Sequence, residues 1–234
     1  MIAGPLALLA LTAPANAADL GISSFSVTPS SMQAAGHPNL TIATTFANPS
    51  DNLENVAIHL PPGLVGNPNA ATKCSQADFA ADNCPATSKV GSVSVDATAT
   101  ILLVPTAITA PGDVYDVAPS PGEPARLGAW VRPLGGILGK IGLPVQVSVR
   151  PTDFGLDTTI QNVPTSLSGI PTEIDSMSLT LNGATAGGDF VTLPSSCTPA
   201  TTRIVSASWC IGVDGTGERG PPRPPRGVSW CPCS

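Results

Sequence analysis

Charged and aromatic residues are scarce in this chain of 234 residues. Only 11% of the residues are Asp, Glu, Lys or Arg, and 4% are Phe, Trp or Tyr. Helix-forming residues with charged side chains are therefore too few for an α-helical bundle or a coiled coil. The 10 Lys and Arg are outnumbered by 16 Asp and Glu, which gives a formal net charge of -6. The basic residues form no cluster in the central part of the chain, so we predict no nucleic-acid binding.

Groups for acid–base chemistry near neutral pH are also few, with two His and one Tyr. The chain has no nucleophile elbow, P-loop, His-Glu-x-x-His motif or dinucleotide-binding glycine motif. Carboxylates that could ligate calcium occur in loose pairs without the spacing of a calcium loop, namely Asp51 with Glu54, Asp113 with Asp116, and Asp153 with Asp157. We therefore predict no catalytic residues, no cofactor and no bound metal.

The N-terminal segment has the pattern of a secretory signal peptide. Residues 2–15 are almost wholly apolar, and Ala15-Asn16-Ala17 fits the small-x-small rule for cleavage before Ala18. The apolar run is shorter than the roughly 20 residues that a membrane-spanning helix needs. We expect residues 1–17 to be removed and the protein to be secreted, extracellular or associated with the cell envelope, with no membrane span in the mature chain. A retained N-terminal anchor is the alternative.

Composition changes sharply after Trp209. Residues 210–234 hold three of the six Cys, three of the ten basic residues and five Pro. We predict a Pro/Arg/Cys-rich tail that is disordered or translated out of frame after a frameshift near codon 209; a natural Pro-rich linker or wall-spanning segment is the other interpretation. Cys197 pairs with Cys210 in one scheme, which leaves Cys231 and Cys233. In a frameshifted tail Cys197 has lost its partner.

Between the two ends, residues 18–209 alternate apolar and polar side chains with period two, interrupted by Pro, Gly, Asn and Asp. This pattern predicts short strands joined by turns, and we expect a mainly β, antiparallel sandwich-like module. Two segments break the pattern: residues 105–124, with five Pro, are predicted as a long loop or an edge excursion, and residues 133–142 as a flexible loop. The apolar faces of the predicted strands are Leu40/Ile42/Thr44/Phe46, Val56/Ile58/Leu60, Val93/Val95/Ala97/Ala99/Ile101, Val145/Val147/Val149 and Met177/Leu179/Leu181.

One short helix is predicted between two cysteines. Ser75 and Asp78 have the spacing of a helix N-cap, and Pro85 ends the segment. Cys74 and Cys84 flank this helix, which would bring them within reach of each other. In an exported chain the two cysteines are therefore the best candidates for a structural disulfide.

Several short sequence segments, taken together, resemble those of one protein family. They are residues 25–30, residues 35–40, Leu-Pro-Pro-Gly-Leu-Val-Gly-Asn-Pro at residues 60–68, the Cys84-Pro85 segment with Ser88-x-Val90-Gly91, residues 121–126 and residues 193–197. In this order, over residues 22–209, they resemble a family of large secreted multi-module β proteins of actinobacteria. The resemblance implies an N-terminal β module usually followed by further β-sandwich modules, with no assigned activity and no catalytic residues to carry over.

Three functional hypotheses follow. The first is a secreted or cell-surface structural or adhesion-type module without catalytic activity, with an extracellular or cell-envelope partner. The second is a secreted carbohydrate-binding module or hydrolase that uses residues 105–124, since functional residues are often placed on loops. Its candidate residues are Asp113, Tyr115, Asp116 and Glu123. The third is a truncated N-terminal part of a larger surface protein, which is compatible with the first.

Overall fold

The structure of the protein, a computed structural model, describes residues 20–209 and the backbone of residues 226–230. The predicted signal peptide lies outside the described residues. The single α-helix of the described residues, α1, spans Gln76–Ala80. The strands are β1 (Ile22–Pro29), β2 (Leu40–Phe46), β3 (Leu53–His59), β4 (Val65–Gly66), β5 (Lys89–Ile101), β6 (Val104–Val117), β7 (Ala125–Val131), β8 (Ile141–Val149), β9 (Leu156–Ile160), β10 (Ser166–Leu167), β11 (Ile170–Leu181), β12 (Ala184–Thr185), β13 (Gly188–Asp189), β14 (Val191–Thr192), β15 (Ala200–Ser208) and β16 (Arg226–Trp230).

The predicted fold class, mainly antiparallel β, is confirmed. One sheet has the order β1-β2-β11-β5-β6-β7-β8-β9-β3-β15-β16, with β10 added to β11. β1, at one end of this order, lies beside β15 and β16 at the other, so the sheet nearly closes on itself. The run β5 to β9 is a meander of hairpins, whereas β2 and β3 pair with strands far away in sequence. Two small sheets, β12-β13 and β14-β4, complete the fold.

The apolar faces predicted from alternation form the core inside this sheet. Leu40, Ile42 and Phe46 are buried on β2, and Val56, Ile58 and Leu60 on and just after β3. Val145 and Val147 of β8 join the same core cluster, while Met177, Leu179 and Leu181 pack against it from β11. Burial of a side chain of this size contributes about 1.5–3 kcal/mol each to folding. The strand faces were therefore predicted correctly, except that Val149 at the end of β8 is exposed.

The predicted loop at residues 105–124 is wrong as far as Val117, where β6 ends, whereas the alternative of an edge excursion describes residues 105–111. β6 pairs with β5 along its whole length but with β7 only from Gly112 onward. The Pro111 carbonyl accepts a hydrogen bond from the Arg132 amide just after β7, so the Pro111 nitrogen also points away from β5. Pro105, six residues earlier, has the same orientation. Both prolines therefore leave the β5–β6 ladder intact, which is how a strand tolerates proline.

The predicted helix and its disulfide are confirmed. The Ser75 hydroxyl accepts a hydrogen bond from the Asp78 amide and caps α1. Cys74 and Cys84 are disulfide-bonded, with their Cα atoms 5.2 Å apart. Backbone hydrogen bonds from the Cys74 amide to the Asp116 carbonyl and from the Ala118 amide to the Cys74 carbonyl fix this unit to the end of β6. No helix among residues 20–209 has the length and apolar character needed to cross a bilayer.

Within the predicted tail, the structure describes one strand. The backbone of β16 pairs antiparallel with β15, with Ala200 opposite Trp230 and Ile204 opposite Arg226. The expectation of a tail without regular structure is therefore wrong for these five residues, which gain the ladder of an edge strand. Cys197 is disulfide-bonded; its predicted partner Cys210, like Cys231 and Cys233, lies outside the described residues.

Candidate functional site

The β5–β6 hairpin ends in an apolar turn that projects from the sheet. Ile101 pairs with Val104, and Leu102 and Leu103 between them form the turn. The leucine residues are 92% and 93% exposed, and Val104 is also exposed. We call Leu102, Leu103 and Val104 the apolar tip. A single exposed leucine is common on protein surfaces, but adjacent exposed apolar residues at the end of a hairpin form a contact surface.

The backbone of this turn is unfavourable for leucine. Leu102 and Leu103 have φ of 49° and 67°. A two-residue hairpin turn with positive φ at both positions has the type I′ pattern, in which Asn-Gly is preferred. Each leucine there costs about 1–2 kcal/mol relative to an ordinary conformation. Neither side chain gains packing in return, so this backbone strain points to a role for the exposed leucines.

The part of the hairpin behind the apolar tip is uncharged and is attached to the sheet by buried residues. Residues 97–108 contain no charged side chain. Ala97, Ala99 and Ile108 are buried at the base of the hairpin and cluster with Leu167 of β10. The base is therefore anchored in the core while the apolar tip stays in solvent. Sequence alternation predicted β5, but it did not distinguish the buried base from the exposed end.

The four residues proposed for the carbohydrate or hydrolase alternative do not converge. Asp113 and Tyr115 lie on the outer face of β6, where Tyr115 is buried under the disulfide segment. Asp116 lies on the inner face and pairs with Lys73. Glu123 binds Arg126 through both carboxylate oxygens, at 2.8 and 2.6 Å. Opposite faces of one strand cannot supply one site, so the geometry does not support an active site built from this segment.

Asp113 belongs to a chain of ion pairs on the outer face. Its carboxylate contacts Lys89 at 2.5 Å and Arg132 at 3.0 Å. Arg132 continues to Asp82, which also binds Lys140 at 2.8 Å. Burial alone would raise the pKa of Asp82, but the hydrogen bonds and charges of Lys140 and Arg132 outweigh it and lower the pKa. The chain links the end of the disulfide segment to β5, β6 and the turn before β8, which is a structural role.

A shallow groove lies beside these ion pairs, between α1 and the sheet. It has a volume of about 380 Å³ and is lined by Phe79, Trp130, Gln76 and Arg126, among others. The ring centroids of Phe79 and Trp130 are 5.8 Å apart, and the Trp130 indole donates a hydrogen bond to the Phe79 carbonyl. Gln76 and Arg126 are engaged with the 118–123 turn. The polar groups that a sugar would need are therefore already bonded within the protein.

The other acidic pairs are likewise bound to protein cations or separated. Asp153 and Asp157 both contact Arg150, at 2.9 and 2.5 Å. The His59 Nδ1–H donates a hydrogen bond of 2.8 Å to the same Asp157 carboxylate. His37, half-exposed, contacts the Val191 carbonyl. Among the described residues, no group of three or more His, Cys, Asp or Glu side chains is arranged to hold a metal ion.

Lys73 and Asp116 form the most deeply buried ion pair of the described residues. The Asp116 carboxylate is almost completely buried and lies 3.0 Å from the Lys73 ammonium, which also donates to the Pro68 carbonyl. Burial raises the pKa of the Asp116 carboxyl above its ordinary value of 3.8, and Lys73 offsets only part of that increase. Folding therefore favours the protonated acid at this position.

The raised pKa of Asp116 predicts the direction in which the stability of the fold changes with pH. A raised folded-state pKa means that the folded protein binds the proton more tightly, so Asp116 destabilises the fold as pH rises through and above 3.8. Asp116→Asn should remove this contribution and leave stability at pH 7 equal or higher. Lys73→Met should lower it by about 2 kcal/mol, because a buried carboxylate loses its counter-charge. Urea unfolding of the three proteins between pH 3 and 7 tests this; a stable Lys73→Met or a destabilised Asp116→Asn contradicts it.

The fold and these contacts define a class: a mainly β, disulfide-linked module with several structural ion pairs among its described residues and an apolar hairpin tip. Comparison with protein-family models, with curated proteins and with solved structures finds no match to this chain.

Proposed function

We propose that this protein is a secreted or cell-surface attachment module without catalytic activity, which adheres to the cell envelope through the apolar tip. The observation that carries the proposal is the pair of exposed leucines in left-handed backbone at the end of the β5–β6 hairpin. Residues in strained backbone conformations cluster at functional sites, which supports a functional role for the two leucines. The predicted export signal and the disulfide are consistent with an extracellular location.

The shape and charge of the tip favour a lipid partner. A protruding apolar tip does not fit a rigid polar surface, whereas the fluid hydrocarbon chains of a lipid layer can pack around any shape. Interfacial apolar segments enter the boundary between head groups and acyl chains by about 5–10 Å. The two leucine side chains of the turn and the exposed Val104 provide the apolar surface for such an insertion. Because the hairpin is uncharged over residues 97–108 and the chain has a net charge of -6, binding is expected not to require anionic lipids.

Binding of the purified protein to neutral phosphatidylcholine vesicles tests the proposal. The double substitution Leu102→Asn/Leu103→Gly should weaken co-sedimentation by at least about 100-fold, because two leucine side chains contribute about 1.5–3 kcal/mol each when buried. The same change provides preferred type I′ turn residues, so the free energy of unfolding should rise by about 1–2 kcal/mol. Loss of vesicle binding in a variant that is more stable would show that the leucines contact the lipid, because a misfolded variant would be less stable.

The matched control is Leu134→Asn. Leu134 is 47% exposed and also has a positive φ of 48°, but it lies in the turn after β7 and belongs to neither the apolar tip nor the cavity at the opposite end of the sheet. This variant should gain stability in the same way and bind vesicles like the wild type. Equal binding by the wild type and the tip variant would overturn the proposal. If the wild type is retained on delipidated cell envelopes but does not bind vesicles, the partner is a protein or glycan and not a lipid.

A further inference from the structure

We propose that the end of the sheet opposite the apolar tip is a binding site for the hydrocarbon chain of a neutral, single-chain lipid. A cavity of about 350 Å³ opens there, within the usual size range of small-molecule sites. β6 runs from Val104 at the tip to Asp116 on the cavity wall. At about 3.3 Å per residue, the two sites are roughly 40 Å apart. The proposal does not depend on the function assigned to the tip.

The walls of the cavity are aliphatic. β3, β7, β8, β9 and β11 contribute residues on or next to their ends, and the small β14-β4 sheet closes one side. The principal apolar lining residues are Leu60, Leu64, Ala125, Val147, Leu156 and Phe190. A surface of this kind gains free energy only by covering hydrocarbon, since it offers few hydrogen-bonding groups.

The cavity and the apolar space behind it can accommodate a chain-shaped ligand. Inside the sheet lies a second, narrower space of about 80 Å³. The two spaces share four lining residues, so that only side chains lie between them. These residues are Leu60, Leu127, Thr158 and Leu181. A larger outer cavity with a smaller apolar space behind it suits an alkyl chain that enters end first.

The charge distribution excludes an anionic head group inside the cavity. The charged side chain in its wall is the Asp116 carboxylate, whose counter-ion is Lys73. A ligand carboxylate or phosphate entering the cavity would meet this carboxylate without an unpaired cation nearby. We therefore assign the ligand as a neutral lipid, such as a fatty alcohol or monoacylglycerol, with its polar end at the mouth.

Phe154 provides an independent indication of a ligand at the mouth. It lines the cavity, although its side chain is largely exposed and its backbone is left-handed. The turn that holds it is tightly bonded: the Phe154 amide donates to the Arg150 carbonyl, and the Arg150 guanidinium binds Asp153 and the Leu60 carbonyl. An aromatic side chain fixed in a strained conformation beside an apolar opening is suited to cover a bound chain.

Fluorescence titration with N-phenyl-1-naphthylamine, followed by displacement with dodecan-1-ol, tests the site. Ala125→Trp places a large side chain at a half-buried position in the cavity wall, opposite Val147. We expect it to weaken binding of the dye at least 10-fold. Val149→Asp, at an exposed position of the lining, should do the same without altering the core. Phe154→Asn should weaken binding about threefold to 10-fold while the protein becomes more stable.

The tip variant Leu102→Asn/Leu103→Gly is the matched control and should bind the dye like the wild type. Dodecan-1-ol should displace the dye at lower concentration than dodecanoate. Wild-type affinity in both folded Ala125→Trp and Val149→Asp would overturn the proposal, as would loss of dye binding in the tip variant. Stronger displacement by dodecanoate would reject the neutral ligand. Failure of vesicle binding with retained dye binding would reject only the tip function.

Discussion

Gly91→Ala is expected to lower the free energy of unfolding by about 3 kcal/mol, the upper part of the usual range for overpacking. Gly91 is buried in β5, at the point where the register with β6 shifts. A Cβ atom there would lie far inside van der Waals contact with the Thr180 carbonyl oxygen of β11. A backbone oxygen within a ladder cannot rotate away as a side chain can. The strain would therefore separate β5 from β11.

Gly66→Ala is the matched control for this substitution. Gly66 lies in β4 with no heavy atom near the position of an added Cβ. We expect its unfolding free energy to stay within about 0.5 kcal/mol of the wild type, as for most surface substitutions. Urea unfolding monitored by circular dichroism measures both variants. Equal stability of Gly91→Ala and Gly66→Ala would show that β5 and β11 are not packed as closely as described.

Removal of the Cys74–Cys84 disulfide is expected to have an effect of similar size. The bond closes a loop with a sequence separation of 10 residues, so Cys74→Ala/Cys84→Ala should lower the free energy of unfolding by about 2–3 kcal/mol. Cys74 is fully buried and clusters with Phe79, Tyr115 and Val117. The loss therefore includes packing of the outer face as well as the chain entropy that the bond removes from the unfolded state.

Chemical denaturation of the double variant and of the wild type, each with and without dithiothreitol, tests this. The reductant should destabilise the wild type more than the double variant, because only the wild type contains this bond. Since Cys197 is also disulfide-bonded, the difference between the two proteins, and not reduction alone, isolates the Cys74–Cys84 contribution. Equal midpoints for the wild type and the variant under oxidising conditions would contradict the prediction.

The two proposed sites share a physical feature that alternation alone could not reveal. Leu102, Leu103 and Phe154 are apolar, exposed and in left-handed backbone. In sequence, Leu102 and Leu103 continue the apolar end of β5, and Phe154 follows an ordinary Pro-Thr-Asp turn. Only the position of each turn at an end of the sheet leaves these side chains without packing partners. Their exposure is a property of the closed sheet, which is set by contacts between distant segments.

Local features of the protein were determined by its sequence. Period-two alternation predicted the buried faces of β2, β3 and β5, because successive side chains of a strand point to opposite sides. Ser75, three residues before Asp78, was sufficient to predict a capped helix. The short spacing of Cys74 and Cys84 around that helix predicted their disulfide, since a single helical turn brings its own ends together.

Features that depend on neighbours distant in sequence were decided by the tertiary structure alone. Five prolines predicted a loop from residue 105, yet Pro105 and Pro111 fit a strand because their nitrogens face away from β5. The pairing of β2 with β11 joins segments more than a hundred residues apart, and it brings Leu40 and Leu181 together in the wall of the cavity. Alternation shows which side chains share a face, but it contains no information on which strand lies alongside. The ends of the sheet, and with them both proposed sites, exist only once those pairings are made.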